Sequence, residues 1–275
     1  MPELPEVETI RRQMQTAVTG KKIVRVEVRF GKRLRPGKKE FAKIITGSEL
    51  MSVGRRAKLL LLNLSNGWTI VTHLKMTGKY LIKNNSAKPD KHTHVVFHLG
   101  DGRQLFFHDI RKFGYLRLSR TSDLEEKVFA REGYGPEPLG PSFSYKIFTA
   151  CLKKRGKKKI KPLLMEQTCI AGIGNIYADE ALWQAKINPK QLVGTLSAAN
   201  LKSLYRSIPA VLKLAIKHRG TSADNYLDFH GEAGENQAFL KVYGRDGEPC
   251  RRCKTAIVKI KLGSRSAHFC PKCQK

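Results

Sequence analysis

The residues with most chemical potential stand at the start, Met1-Pro2-Glu3-Leu4-Pro5-Glu6-Val7-Glu8. Removal of the initiator methionine, which a small second residue permits, leaves the chain beginning with the secondary amine of Pro2. An α-amino group titrates at about 7.7–8.0, so part of it is neutral and nucleophilic near neutral pH. A lysine would need strong desolvation to match that. Glu3 follows directly, close enough to move protons for whatever the amine attacks. Condensation of a secondary amine with a sugar aldehyde carbon gives a charged iminium, an electron sink that favours elimination. The same residues also suit a helix start. Pro5 fits a first helical position, and Glu6 and Glu8 complement the N-terminal dipole. Val7, Ile10, Met14 and Val18 follow at helical spacing, with Gly20 as a stop. The two readings are compatible, because a docked helix would hold the terminus in place.

Other groups could join this chemistry. The run Arg55-Arg56-Ala57-Lys58 sets a lysine at the mouth of an apolar strand, where it either steadies a phosphate, donates a proton or snorkels. In His108-Asp109-Ile110-Arg111-Lys112-Phe113-Gly114, Arg111 and Phe113 are two apart and share a face of an extended chain. A cation beside an apolar wedge could fill the hole left by an extruded base; ordinary hairpin structure is the rival account. The turn Ala171-Gly172-Ile173-Gly174-Asn175 allows close backbone approach to a phosphate at a helix N-terminus, or is simply a tight helix–helix turn.

Cys250, Cys253, Cys270 and Cys273 form two CxxC pairs separated by sixteen residues. That spacing fits one structural, tetrahedral Zn2+ better than disulfides in a chain with no secretion signal. Arg251, Arg252, Lys254, Lys259, Lys261 and Arg265 lie on the same segment, so metal binding would stiffen a cationic rib. Cys151 and Cys169 read as separate buried thiols.

Elements must position these groups. After the first helix, alternation predicts a strand over 24–30 and a short helix around Phe41, Ile44 and Ile45. Strands follow at 50–55, 58–64, 68–74, 79–82, 94–99, 103–108 and 115–118, with Asn66-Gly67 and Asp101-Gly102 turns. Many short strands with such turns predict a β-sandwich or barrel. The Gly/Pro-rich stretch 133–141 reads as a linker. Helical periodicity then covers 145–153, 161–167, 176–186 and 197–218, the last expected to kink or split at Pro209. The tail from 237 reads as a zinc-bound hairpin. The expectation is an α+β protein with a catalytic β domain over 1–132, a hinge at 133–141, a helical domain over 142–236 and a zinc hairpin over 237–275.

The chain carries 52 Lys+Arg against 23 Asp+Glu, a formal charge of +29 over 275 residues. Such a surplus implies a polyanionic partner, nucleic acid before an anionic membrane. No apolar run reaches about 18 residues, and no basic, apolar leader precedes the acidic start, so the cytoplasm is expected.

The ordered set PELPEVE, RRAKLLL, HLKMTGKY, HDIRKFG, GPEPL, AGIGNIYADE, VYGRDGEPCRRC and FCPKCQK resembles the bacterial formamidopyrimidine-DNA glycosylase (Fpg/Nei) family from residue 2 to residue 275. The resemblance implies a β-sandwich with flanking helices, a helix–two-turn–helix domain and a zinc finger. It implies that Pro2 attacks the anomeric carbon of a flipped, oxidised purine nucleotide while Glu3 serves as general acid/base. Lys58 would assist β-elimination and Arg265 the δ step. His73 and Asn175 would help clamp phosphates, and His92, Tyr243 and the neighbourhood of Lys154 and Lys161 would supply further DNA contacts. Met76, Arg111 and Phe113 match the family's void-filling trio, with Arg111 facing the orphaned cytosine, whose acceptors suit a guanidinium. Residues 220–238 match a mobile loop over the extruded base.

The implied activity is that of a bifunctional glycosylase/lyase acting as a monomer on double-stranded DNA with oxidised purines or abasic sites. Two alternatives stand beside it: an endonuclease VIII-like enzyme for oxidised pyrimidines, and a non-enzymatic zinc-ribbon DNA binder.

Overall fold

Helix α1 (Leu4–Val18) starts where proline and the acidic residues placed it, with Glu3 as N-cap and a reciprocal capping box to Glu6. Its inward stripe, Val7, Ile10, Met14 and Val18, is fully buried. The computed structural model describes residues 1–223 and 225–275, which fall into two units, 1–131 with 218–235 and 132–217 with 236–275.

The first unit layers two sheets. One runs β1 (Ile23–Val28), β7 (Thr93–Leu99), β8 (Gln104–Asp109), β6 (Gly78–Lys83) in spatial order, all antiparallel. The other runs β2 (Leu34–Arg35), β9 (Tyr115–Arg120), β5 (Trp68–His73), β4 (Leu59–Leu64), β3 (Leu50–Arg56), antiparallel except where β2 pairs β9. Gly67 and Gly102 take positive φ in the Asn-Gly and Asp-Gly turns that the sequence marked. Phe97, Leu105 and Phe107 from the first sheet share a core with Leu60, Leu62, Ile70 and Leu116 from the second. Thr72 and Tyr80 join the layers by a buried hydroxyl–hydroxyl bond of 2.8 Å. Helix α2 (Lys38–Ile45) packs against β1 and β2, and α1 against β3 and β4.

The segment 218–235 returns to this unit. Phe229 is wholly buried in its core, and its amide donates to Gln13 Oε1 at 3.0 Å while Gln13 Nε2 donates to Asp228 Oδ2 at 2.8 Å. Of the loop expected over 220–238, Asp224 lies outside the described residues.

The second unit holds α3 (Tyr145–Lys153), α4 (Ile160–Leu164), α5 (Asn175–Ala185), α6 (Ala198–Lys217) and the hairpin β10 (Val258–Leu262), β11 (Arg265–Phe269). Three expectations change. Pro209 does not split α6, because Leu201, Leu204, Ile208, Leu212 and Ala215 keep one buried stripe through it. The expected helix over 161–167 ends at Leu164, since Gln167 turns its amide onto the following loop. Cys151 and Cys169 are not separate thiols but a disulfide, with Cα atoms 5.7 Å apart. They sit on α3 and on the loop before α5, a proximity created only by tertiary packing. No helix among the described residues is long and apolar enough to cross a membrane.

Candidate active site

Pro2 and Glu3 sit at the buried N-terminus of α1, with Glu3 only 3% exposed. Glu6 fixes them from both sides: Oε2 accepts the Glu3 amide at 2.8 Å and Oε1 accepts the Thr221 amide at 2.8 Å. The N-terminus is thereby tied to the returning segment 218–235, a link that leaves no signal in the sequence. An amine at this point would have a carboxylate as its immediate neighbour and little competing water.

One turn along α1, Glu8 accepts from Arg11 (2.9 Å), Arg12 (2.8 Å) and Arg55 (3.0 Å). Burial alone would raise its pKa, but the hydrogen bonds from three guanidiniums outweigh that and hold the carboxyl down at about 2. The Arg55 bond anchors the β3–β4 hairpin to α1. The two-residue tip of that hairpin is Ala57, at φ +53°, and Lys58, 7% exposed. Lys58 is thus a buried lysine rather than a snorkelling one.

His73 lies opposite Leu59 in the β4–β5 ladder, beside Lys58. Its Nδ1 accepts the Lys75 amide at 2.9 Å, which places the proton of the neutral ring on Nε2. Desolvation, reinforced by the charges of Lys75 and Lys58, lowers its pKa to about 3. His73 is therefore a neutral donor, suited to a phosphate oxygen without adding charge.

The segment that follows β8 presents Arg111 and Phe113, with the guanidinium carbon 5.0 Å from the ring centroid and Phe113 44% exposed. Met76 lies in the partly buried turn before β6. His92 packs against His108, ring centroids 5.7 Å apart, and its amide is held by Asp90 at 3.0 Å.

In the second unit Gln167 organises the glycine turn. Its Oε1 accepts the Gly172 amide at 2.8 Å, and its Nε2 donates to the carbonyls of Ile173 (2.8 Å) and Met165 (2.9 Å). With Gly172 at φ +96°, this delivers Asn175 to the first position of α5. Lys154 is exposed at the C-cap of α3. Tyr243 has its amide on Glu180 Oε1 at 2.9 Å and its ring 5.0 Å from His268. Glu180 also accepts the amides of Lys241 and Val242.

Lys161 departs from expectation. It is 1% exposed, paired with Asp179 Oδ1 at 2.7 Å, and donates to the carbonyl of Ser266. A buried, neutralised ammonium cannot meet a phosphate, so the DNA contact expected of it is withdrawn. Its bond to Ser266 instead fastens the β10–β11 hairpin beside Arg265, which is exposed next to the Gly263-Ser264 tip.

The four cysteine sulfurs of 250, 253, 270 and 273 lie within 4.8 Å of one another. A tetrahedral zinc with bonds of about 2.3 Å sets sulfurs about 3.8 Å apart, so these thiols suit one ion. Trp183 Nε1, from α5, donates to Cys250 Sγ at 3.4 Å, the kind of outer bond that orients a thiolate ligand.

Set beside known proteins, residues 1–116 match the formamidopyrimidine-DNA glycosylase N-terminal domain, 134–226 the H2TH domain of the same enzymes, and 247–275 the zinc finger found in FPG and IleRS. The chain is 46% identical to the formamidopyrimidine-DNA glycosylase of Pelotomaculum thermopropionicum, covering 100% of this chain and 99% of that one. It is 45% identical to that of Streptococcus mutans, over 100% of both. Among solved structures, Lactococcus lactis Fpg bound to abasic-site DNA superposes with a TM-score of 0.94 at 39% identity, over 99% of both chains. The complex of the same Lactococcus lactis protein with Fapy-dG DNA gives 0.93 at 39% identity, over 99% of this chain and 100% of that one.

Proposed function

We infer, from the chain's belonging to the formamidopyrimidine-DNA glycosylase family, that it excises oxidised purines from duplex DNA and then cuts the strand as an abasic-site lyase. One structural zinc ion is its cofactor. The observation that carries the reading is the seat of Pro2 and Glu3, buried at the head of α1 and held through Glu6.

With Met1 removed, the Pro2 nitrogen attacks C1′ of the damaged nucleotide and the base leaves as the C1′–N bond breaks. Glu3 moves the protons that open the sugar and release the base. The iminium acidifies C2′, so loss of a proton there expels the 3′-phosphate, and a second elimination expels the 5′-phosphate. Lys58 serves the first elimination and Arg265 the second. His73, His92, Asn175, Lys154 and Tyr243 hold the phosphodiester backbone, while Met76, Arg111 and Phe113 occupy the space of the extruded base, Arg111 on the orphaned cytosine. The enzyme works in the cytoplasm, on the DNA of the nucleoid.

Borohydride reduction during reaction with an 8-oxoguanine duplex should give a covalent protein–DNA adduct, located at residue 2 by mass spectrometry. An adduct on an internal lysine, or none, would overturn this mechanism. Because one Lactococcus lactis complex contains an oxidised pyrimidine, oxidised-pyrimidine duplexes belong in the same substrate panel.

A further inference from the structure

Asp109 has no role in the chemistry above, yet it is wholly buried and ends β8 at the root of the Arg111–Phe113 loop. Its carboxylate is surrounded by donors. Oδ1 accepts the Thr77 hydroxyl at 2.5 Å and the Arg111 amide at 3.2 Å. Oδ2 accepts the Gly114 amide at 2.7 Å. The Arg111 amide also donates to Thr77 Oγ1 at 3.0 Å, which closes a ring of bonds. The backbone of Asp109 is pinned as well, its amide on the His92 carbonyl at 2.9 Å and its carbonyl 2.6 Å from His94 Nε2.

The consequence lies in which residues this ring joins. Thr77 is the neighbour of Met76, the Arg111 amide is in the ring, and Gly114 is the neighbour of Phe113. Each void-filling residue is therefore held at its own backbone or at the next residue by one carboxylate. Local geometry needs such a clamp. Lys112, between Arg111 and Phe113, takes φ +59°, which an L side chain adopts only when its surroundings enforce it. A Cβ on Gly114 would meet Asp109 Oδ2 at 3.0 Å, so the glycine is what lets the carboxylate close on the loop.

We propose that Asp109 is a positioning residue that sets the preference for the base opposite the lesion, by locking Met76, Arg111 and Phe113 into one rigid set. It touches no DNA; it aims Arg111. The inference rests on the function proposed above, with Arg111 reading the orphaned base.

Asp109→Asn is the closest probe. An amide keeps the shape but supplies one acceptor oxygen, so either the Arg111 amide or the Gly114 amide faces N–H against N–H. Excision of 8-oxoguanine opposite cytosine and opposite adenine would be compared as kcat/KM for the wild type, D109N, R111A and D109N/R111A. Borohydride trapping on a single-stranded abasic oligonucleotide, which has no opposite base, would be measured alongside. The preference for cytosine should fall about tenfold in D109N, the scale of one lost bidentate base contact, and approach that of R111A. The double variant should be no worse than R111A, since both act through one contact. Single-strand trapping should stay within about twofold of wild type, as expected if the amine and its proton shuttle are untouched. Thr77→Val removes both bonds that the hydroxyl makes in the ring but keeps the carboxylate and its bond from the Arg111 amide, and should lose part of the preference, about threefold.

A D109N enzyme that keeps its cytosine preference would overturn the proposal. So would joint loss of preference and single-strand trapping in both D109N and T77V, which would mark a merely structural residue. A wild-type enzyme that excises 8-oxoguanine equally well opposite either base would instead remove the reading of Arg111 on which this inference stands.

Discussion

At the scale of single residues, the proposed proton work falls on Glu3 and the proposed phosphate work on His73, and the two make different predictions. Glu3→Gln should lower base excision by about a hundredfold or more, the usual worth of a general acid/base, while retaining lyase action on abasic DNA. Unchanged excision in a single-turnover assay would refute its role. His73, kept neutral by desolvation and by Lys75 and Lys58, should weaken DNA binding when replaced by glutamine. It should leave the salt dependence unchanged, because each phosphate neutralised by a cation adds about 0.9 to the slope and a neutral ring adds none. His73 also marks stability. The unfolded chain takes up a proton at this ring below about 6.5, whereas the native chain does so only near 3. Native stability is therefore full above the higher value and drains as pH falls towards the lower one. H73Q should flatten that part of a denaturant-midpoint profile.

Among elements, α1 and the turn before α5 do most of the positioning. Glu8 ties α1 to the hairpin that carries Lys58. Its carboxyl titrates at about 2 when folded against an ordinary 4.5, so its contribution is present above 4.5 and lost as pH falls through 2. E8Q should remove this acid-side loss and loosen the Lys58 hairpin, readable as slower β-elimination on abasic DNA. Gln167→Ala would strip three hydrogen bonds from the glycine turn, costing about 1–3 kcal/mol for the groups left unpaired. Weaker DNA binding with an unaltered borohydride adduct on single strands would place the damage in the turn rather than at the amine. These elements were legible to different degrees. The proline and glutamates announced α1, the Asn-Gly and Asp-Gly pairs announced the hairpins, and the CxxC spacing announced the zinc fold, because each is a local pattern with a local cause. Gln167, Asp109 and Glu180 carried no such signal: the first two bond mainly backbone groups within six residues, which no residue pattern marks, and Glu180 bonds the amides of 241–243, which only the fold brings to it. Lys161 misled for the same reason: in a basic run a lysine reads as exposed, and only the fold brings Asp179 to it.

For the molecule as a whole, zinc and charge are the proposed determinants of DNA binding. Chelation should abolish binding in a gel shift while most of the β circular-dichroism signal persists, because the cysteine cluster has its own small core of Val242 and Ile257, separate from that of the sheets. Full binding after metal loss would sink the structural role of the ion. The +29 charge should make affinity fall steeply with salt, and a flat response would count against a basic DNA-binding face. The disulfide between Cys151 and Cys169 was beyond reach of the sequence, which separates them by 18 positions.

The first unit is sewn from two lengths of chain, since Phe229 and Asp228 complete what α1 begins. Heredity must respect that seam. A gene exchange with a single breakpoint near codon 131 would marry one parent's α1 to another parent's Gln13 partners, so chimaeras should survive only when both lengths travel together. For the same reason a protein ending at residue 131 would be missing a wall, and should expose apolar surface and aggregate where the intact chain does not.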